Sequence, residues 1–315
     1  DVYKRQEPGN LTCEAEDECD IEVDSFDFAE TFTAVPEPGY LFSGWRRGYR
    51  GLCGGSLKPC VLDASYAAGH PALAALVESD EEFYLTPQFL PEDELRRYLA
   101  GDVTRLKGVL SASQGTSPEV LTEVTARLKI LATVLEQEEA PVYEAELVVW
   151  GPNDERLLRW TQQFWQDGKG GIHMLTDEYG NLLLDTATNT AGLLTVPVPL
   201  EPFAAVALPF SAMWGGHTST PLTSGTRGIE TGEPRDWQSP SGDVLAYPVA
   251  VNDEFTWLVS YADYQRDQSV SREQLLWIAQ AKGLVGIDVE QRVYSSRGTL
   301  LSTLSLTLEA VKFTY

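Results

Sequence analysis

Four cysteines, Cys13, Cys19, Cys53 and Cys60, are the side chains whose spacing speaks first to chemistry. All lie in the first fifth of a 315-residue chain, with five residues inside the first pair and six inside the second. Structural zinc sites separate their thiolates by about two to four residues, fewer than here. An even count at these longer spacings predicts disulfides, Cys13–Cys19 and Cys53–Cys60, each closing a local loop. A structural zinc site is the alternative. Disulfides of this kind place the chain in an exported, oxidising setting.

The remaining reactive side chains form no recognisable constellation. The three histidines, His70, His173 and His217, are dispersed. No HExxH, phosphate-binding loop, nucleophile elbow or dinucleotide fingerprint occurs. Carboxylates are abundant, so no single pair stands out as the acid and base of a glycosidase. "TDEYGNLLLD" offers Asp177, Glu178, Asn181 and Asp185 to calcium, but it departs from the EF-hand pattern and reads better as an acidic hairpin turn. "DECDIEVD" likewise reads as the charged edge of a strand. No catalytic residue, metal or cofactor is expected. Among the tryptophans, Trp257 and Trp277 sit inside strand patterns and are expected in the core. Trp160 and Trp165 lie in "RWTQQFW", which fits either helix or strand. Trp214 and Trp237, with His217, lie at the Gly/Ser/Thr/Pro-rich stretch from Gly215 to Asp243. They are the candidate ligand contacts.

Charge narrows the partners. A formal net charge of −24 repels phosphate backbones and anionic lipid surfaces, so nucleic acid is not an expected partner. A glycan, a protein or a hydrophobic small molecule remains. No apolar run reaches the roughly 18 residues needed to span a bilayer as a helix. "DVYKRQ", Asp1–Gln6, resembles the translation of a sequencing-library adapter and is set aside as a scar. On that reading the natural N-terminus is not in this sequence.

The elements that must carry these residues fall into three stretches. Residues 7–90 alternate apolar and polar positions, as in "DIEVDSFDFAETFTAV", and predict β structure broken by the turn "PEPGY". Residues 91–140 place Leu95, Leu99, Val103, Leu106 and Leu110, then Val120, Val124, Leu128, Leu131 and Leu135, at spacings that predict two helices. Ser117 and Pro118 read as the start of the second. These two make a helical hairpin linking two β regions. Residues 141–315 predict a larger antiparallel β domain, with strands such as "YEAELVVW", "DVLAYPVAV" and "EFTWLVSYA".

Two resemblances follow from particular residues. Ala34, Pro36, Gly39, Tyr40, Phe42, Gly44 and Trp45 spell "A-x-P-x-x-GY-x-F-x-GW" between the two cysteine pairs. This segment resembles the divergent B-repeat module of bacterial surface proteins, the Listeria–Bacteroides type. The resemblance implies a small non-catalytic β module in an exported protein. The family's closing strand would fall at "FYLTPQF", after an insertion that follows Cys60. Trp277, Ala279, Gly283, Leu284 and Val285 resemble a strand pair of antiparallel-sheet bacterial envelope lipoproteins, with Gly286 where those carry Lys. The combined expectation is a mainly β (α+β) exported protein of the envelope or cell surface. Its parts are a disulfide-stapled module, a helical hairpin and an antiparallel β domain, and its role is non-catalytic binding or scaffolding. A carrier of a hydrophobic ligand is the first alternative, and a secreted carbohydrate hydrolase the second.

Overall fold

The computed structural model describes residues 2–6, 12–13, 21, 23, 25–77, 79, 81–115, 117, 119–137, 140–177, 180–213, 223–238, 243–261 and 264–314. The chain divides into two compact units, one up to Glu92 and one from Asp93 onward, with residues near Ser241–Asp243 grouped with the first.

The first unit is built from short strands: β1 (Val2–Gln6), β2 (Thr12–Cys13), β3 (Ala29–Val35), β4 (Tyr40–Trp45), β5 (Cys60–Asp63) and β6 (Pro87–Pro91). β2, β1, β3 and β5 form one antiparallel sheet in that order, and β4 pairs with β6. Phe32 from β3, Trp45 from β4 and Cys60 from β5 are its buried centre. The Trp45 indole N–H donates to the Lys58 carbonyl at 2.9 Å, and Phe42 meets Trp45 edge-on at 5.3 Å. The motif aromatics Phe42 and Trp45 are therefore packing residues, whereas Tyr40 is exposed. The last strand is Pro87–Pro91, starting later than "FYLTPQF".

Cys53 and Cys60 are joined by a disulfide. Among the described residues the fully buried centre of this unit is small, with partly buried side chains around it, so the cross-link contributes a large share of its stability. Loop closure of this length is worth about 2–2.5 kcal/mol by the chain-entropy estimate. Reducing it is expected to raise amide exchange in β3 and β5 by more than tenfold, read by mass spectrometry. Unchanged exchange would show that the core holds the loop unaided. Cys19 lies outside the described residues, and with it the pairing Cys13–Cys19.

Residues 91–140 carry no helical hairpin. They form an extended segment and two long strands, β7 (Val103–Gln114) and β8 (Val120–Gln137). Among the described residues, the helical elements are a 3₁₀ turn at Ala64–Gly69 and the seven-residue α1 (Pro71–Val77). None is long and apolar enough to cross a membrane. The misreading has a definite cause. Spacings of four, as in Leu106/Leu110 and Val120/Val124/Leu128, are even, so they hold one face of a strand as well as one face of a helix. Val and Thr occur in both segments, with Ile130 in the second, and favour the strand. Ala126 and Ile130, inside the alternation Val124–Ala126–Leu128–Ile130, complete a period of two.

The second unit continues with β9 (Ala140–Trp150), β10 (Arg156–Gln166), β11 (Ile172–Met174), β12 (Leu182–Asp185), β13 (Thr190–Ala191), β14 (Leu193–Val196), β15 (Ala205–Met213), β16 (Thr223–Thr231), β17 (Arg235–Trp237), β18 (Val244–Tyr261), β19 (Tyr264–Ala279), β20 (Gly283–Ser295) and β21 (Leu300–Thr314). With β7 and β8 they form one antiparallel sheet of 15 strands. Its order runs β13-β12-β15-β16-β18-β19-β20-β21-β7-β8-β9-β10-β11-β14, with β17 added beside β18. The ends of the sheet return to each other. Leu183 N–H of β12 donates to the Leu175 carbonyl just past β11 at 2.8 Å, and Thr176 bridges to Leu182. The result is a near-barrel whose inward side chains form two main hydrophobic clusters.

Runs such as "LAYPVAV" and "LLWIA" lack clean alternation because both faces are covered there. Tyr247, Val249 and Val251 pack into the barrel. Ala246, Trp277 and Ala279 pack on the outer face beneath Trp237 of β17.

Candidate functional site

The barrel holds a cavity of about 170 Å³, partly open to solvent and walled by side chains from most of the sheet's strands. Most of the wall is apolar: Leu106, Leu128, Leu147 and Trp160 supply it on β7–β10. Its floor is the segment from Asp93 to Asp102, which enters the barrel end without regular structure of its own and satisfies its backbone by a set of specific bonds. Leu95 N–H donates to the Lys169 carbonyl and Arg96 N–H to that of Gln280, both at 2.9 Å. The Gln166 side chain accepts from Tyr98 N–H at 2.7 Å and donates to the carbonyls of Arg96 and Gly170. Arg96 pairs with Asp102 at 2.9 Å. Leu95 and the Tyr98 ring are thereby buried against Ile130, Phe164 and Ile278.

Tyr98 is the lumen's lowest polar side chain. Its hydroxyl accepts from Leu284 N–H at 2.8 Å, and its ring meets Phe164 edge-on at 5.7 Å. Gly283 has φ +77, and a Cβ there would collide with the phenol oxygen, so a glycine is required for this closure. Burial pushes the Tyr98 phenol above its ordinary value of 10.0, partly offset by the Leu284 bond and nearby Arg96. Above that ordinary value the unfolded chain releases a proton that the folded chain retains. Stability is therefore complete below it and falls as pH rises through the raised folded value. Tyr98→Phe is expected to remove part of the stability loss between pH 9 and 11, measured by urea unfolding at each pH. An identical alkaline slope in both proteins would exclude Tyr98 as its source.

Higher in the lumen, four strands align polar side chains in register. Arg227 of β16 lies opposite Asp253 of β18. Asp253 lies opposite Arg272 of β19, and Arg272 opposite Gln291 of β20. The first pair is bidentate, with Arg227 Nε to Asp253 Oδ1 at 2.6 Å and Nη2 to Oδ2 at 2.8 Å. Arg227 Nη1 also donates to Thr195 Oγ1 at 2.8 Å. Arg272 Nε and Nη2 donate to Gln291 Oε1 at 3.1 and 2.9 Å. Arg227 and Arg272 lie over the rings of Phe210 and Phe255. All four row residues line the cavity.

From this row toward Tyr98 the same face turns apolar on every strand. Arg227 is followed by Ile229, Asp253 by Val251 and Val249, and Gln291 by Val289 and Ile287. On β19 the change takes one residue longer, through Gln274 to Leu276 and Ile278. The lumen is thus graded along its axis, from a hydrogen-bonding band to a hydrophobic floor.

The residues singled out from the sequence fall elsewhere. Trp214 and His217 lie outside the described residues. Trp237 lies on the outer face, 5.6 Å from Trp277, with the Arg235 guanidinium 3.5 Å over the Trp277 ring. Gly286, standing where the lipoprotein pattern has Lys, leaves room for the Trp237 ring; a Cβ there would come within 2.6 Å of it. Trp160 faces the lumen, whereas Trp165 stacks on His173 at 4.2 Å. His173 Nε2 lies 3.3 Å from Asp167, and His70 is exposed at the end of the 3₁₀ turn. The oxygens considered for calcium serve the chain itself. Asp177 accepts from Asn181 N–H and Nδ2, and Asp185 accepts from Ala187 N–H. Glu178 lies outside the described residues.

Sequence reading missed Tyr98 and the row. A usable signal was present: Arg227, Asp253 and Arg272 occupy the parity that carries apolar residues further along the same strands.

No protein-family model matches the chain, and no curated protein does. Solved structures that overlap it include the following two. One, from Bacteroides fragilis NCTC 9343, is described provisionally as an exported protein with a YmcC-like fold; it is 9% identical, with a TM-score of 0.29, covering 71% of this chain and 100% of that one. The other, from Parabacteroides distasonis ATCC 8503, is described provisionally as a lipoprotein; it is 12% identical, with a TM-score of 0.30, covering 71% of this chain and 97% of that one. Overlap at these scores carries no argument about function.

Proposed function

We propose that this chain is a non-catalytic exported binding protein that holds a small hydrophobic molecule inside its barrel. The cavity carries this reading. At about 170 Å³ it is comparable to the roughly 150 Å³ apolar cavity that accepts benzene, so it suits one ring or a short chain. The Cys53–Cys60 disulfide supports export, because such bonds persist in oxidising compartments. The acids lining the cavity are engaged in structural bonds, Asp253 with Arg227 and Asp177 with Asn181, which supports a binding role. For the first unit we propose an accessory role as a B-repeat-like surface module, supported by the Phe42–Trp45 packing and the disulfide.

The test is calorimetric titration with p-xylene, which is neutral and the size of the cavity. Micromolar to submillimolar binding is expected in the wild type. Ala145 lines the cavity, and Ala145→Phe should fill it and abolish binding while the circular dichroism stays unchanged. A wild type that binds no apolar probe would sink the reading.

A further inference from the structure

We infer that the molecule held in the barrel is a neutral amphiphile, its uncharged hydrogen-bonding head, an alcohol or a carboxamide, seated at the side-chain amides of Gln162 and Gln274 and its short apolar tail directed at Tyr98. This rests on the hydrophobic-ligand reading and adds the head group to it. Charge decides first. Among the described residues, the guanidinium groups lining the cavity are Arg227 and Arg272, and the carboxylates are Asp253 and Asp177. Positive and negative groups are therefore equal in number. Each is also engaged. Arg227 binds Asp253 through two bonds, Arg272 binds Gln291 and Asp177 binds Asn181. Arg272 and Asp177 each have a further partner as well. An ionised guest would bring in a charge with no free counterpart, and its desolvation would go uncompensated. The head must therefore be uncharged.

Two polar side chains of the lining have hydrogen-bonding capacity to spare. Thr195 is spent on Arg227 and the Leu193 carbonyl, and the Gln291 oxygen on Arg272. Gln162 and Gln274 line the cavity, yet their side chains make no hydrogen bond to the described residues. An amide side chain offers two donors and an oxygen acceptor, so a hydroxyl or a carboxamide can both donate to it and accept from it. On β10, Gln162 stands between Trp160 and Phe164 in the lumen-facing alternation, one inward position from the ring that meets Tyr98. On β19, Gln274 stands between Arg272 and Leu276. A hydrocarbon long enough to pass these amides would displace water from them and return no bond. A neutral head returns it, and the tail then lies against Phe164, Leu276 and Ile278. Cavity size limits the guest to on the order of six to eight carbons.

The experiment titrates the whole chain at neutral pH with 1-hexanol, hexanamide, hexanoate and hexylammonium, with p-xylene as the apolar reference. 1-Hexanol and hexanamide should each bind about tenfold or more tighter than either ion. The tighter of the two identifies the head as hydroxyl or carboxamide. Hexanoate or hexylammonium binding as tightly as 1-hexanol would overturn the neutral head. Gln162→Leu and Gln274→Leu give a readout that mere exclusion of ions from an apolar space would not move. Each should weaken 1-hexanol and hexanamide about fivefold, the worth of one neutral hydrogen bond, while p-xylene binds as tightly as before or tighter. Retained p-xylene binding shows that the cavity of each variant is intact. An unchanged ratio of 1-hexanol to p-xylene affinity in both variants would remove the two amides as the seat of the head. Binding of p-xylene without 1-hexanol or hexanamide would overturn the inference and leave the hydrophobic-ligand reading standing. Failure of p-xylene and both neutral amphiphiles to bind would remove both.

Discussion

Asp253→Leu is expected to destabilise the barrel by about 3–5 kcal/mol, the usual effect of stripping one partner from a buried ion pair. Both members are almost inaccessible, with Arg227 6% and Asp253 2% exposed, so the stranded guanidinium would lose most of its compensation. Arg227 would keep one neutral bond, to Thr195, and Arg272 would lose the negative charge opposite it. Arg227→Met alone should cost a similar amount, because it strands the carboxylate instead. The double variant Arg227→Met/Asp253→Leu should recover most of the loss, since apolar pairs of similar volume often equal a buried salt bridge in stability. Urea unfolding of the four proteins closes the cycle. A single-variant loss below about 1 kcal/mol would mean that the pair is effectively solvated.

The same row shows where sequence reasoning stops. Strand character in residues 141–315 was legible because Val, Ile, Thr and aromatics recur between turn residues. The turn at Asp177–Asn181 was legible from its Gly and Asn, and the thiol spacing at Cys53 and Cys60 from loop geometry. Parity along one strand also shows which residues share a face. Closure is another matter. Beyond the local Leu183–Leu175 contact across that turn, it depends on β7 meeting β21, a pairing between residues distant in sequence that no local pattern encodes. Without closure there is no inside, and Arg227, Asp253 and Arg272 read as ordinary surface charges on exposed strands. Residues 91–140 failed for the opposite reason: a local pattern existed but was degenerate. Leu95 and Leu99 fitted the helical stripe, yet the segment around them is ordered by Gln166, Lys169 and Gln280, which no helix propensity anticipates. Trp277, expected in the core from its strand pattern, is buried, and Trp237 packs beside it on the outer face.

Gly108→Ala is expected to cost about 3 kcal/mol or more, an unusually large effect for adding one methyl group. Gly108 sits in mid-strand on β7, opposite Leu308 of β21. A Cβ there would land on the backbone carbonyl of Thr307, far inside van der Waals contact, and backbone cannot swing aside as a side-chain tip can. Glycine in a strand interior marks such close approach, at some loss of strand propensity. Gly228 of β16 supplies the control. It is also in mid-strand, but its Cβ would find no atom nearer than the Asn252 carbonyl oxygen at 3.9 Å. Gly228→Ala should therefore be neutral or stabilise slightly, by up to about 1 kcal/mol through the unfolded chain. The contrast tests closure itself, because β7–β21 is the seam where the final strand meets the first long strand of the unit. If that seam is paired as described, Gly108→Ala should shift it and weaken p-xylene binding. Gly228→Ala should leave that binding intact. Equal, small effects at the two positions in urea unfolding would show that β7 and β21 do not approach this closely, and the enclosed lumen would lose its structural basis.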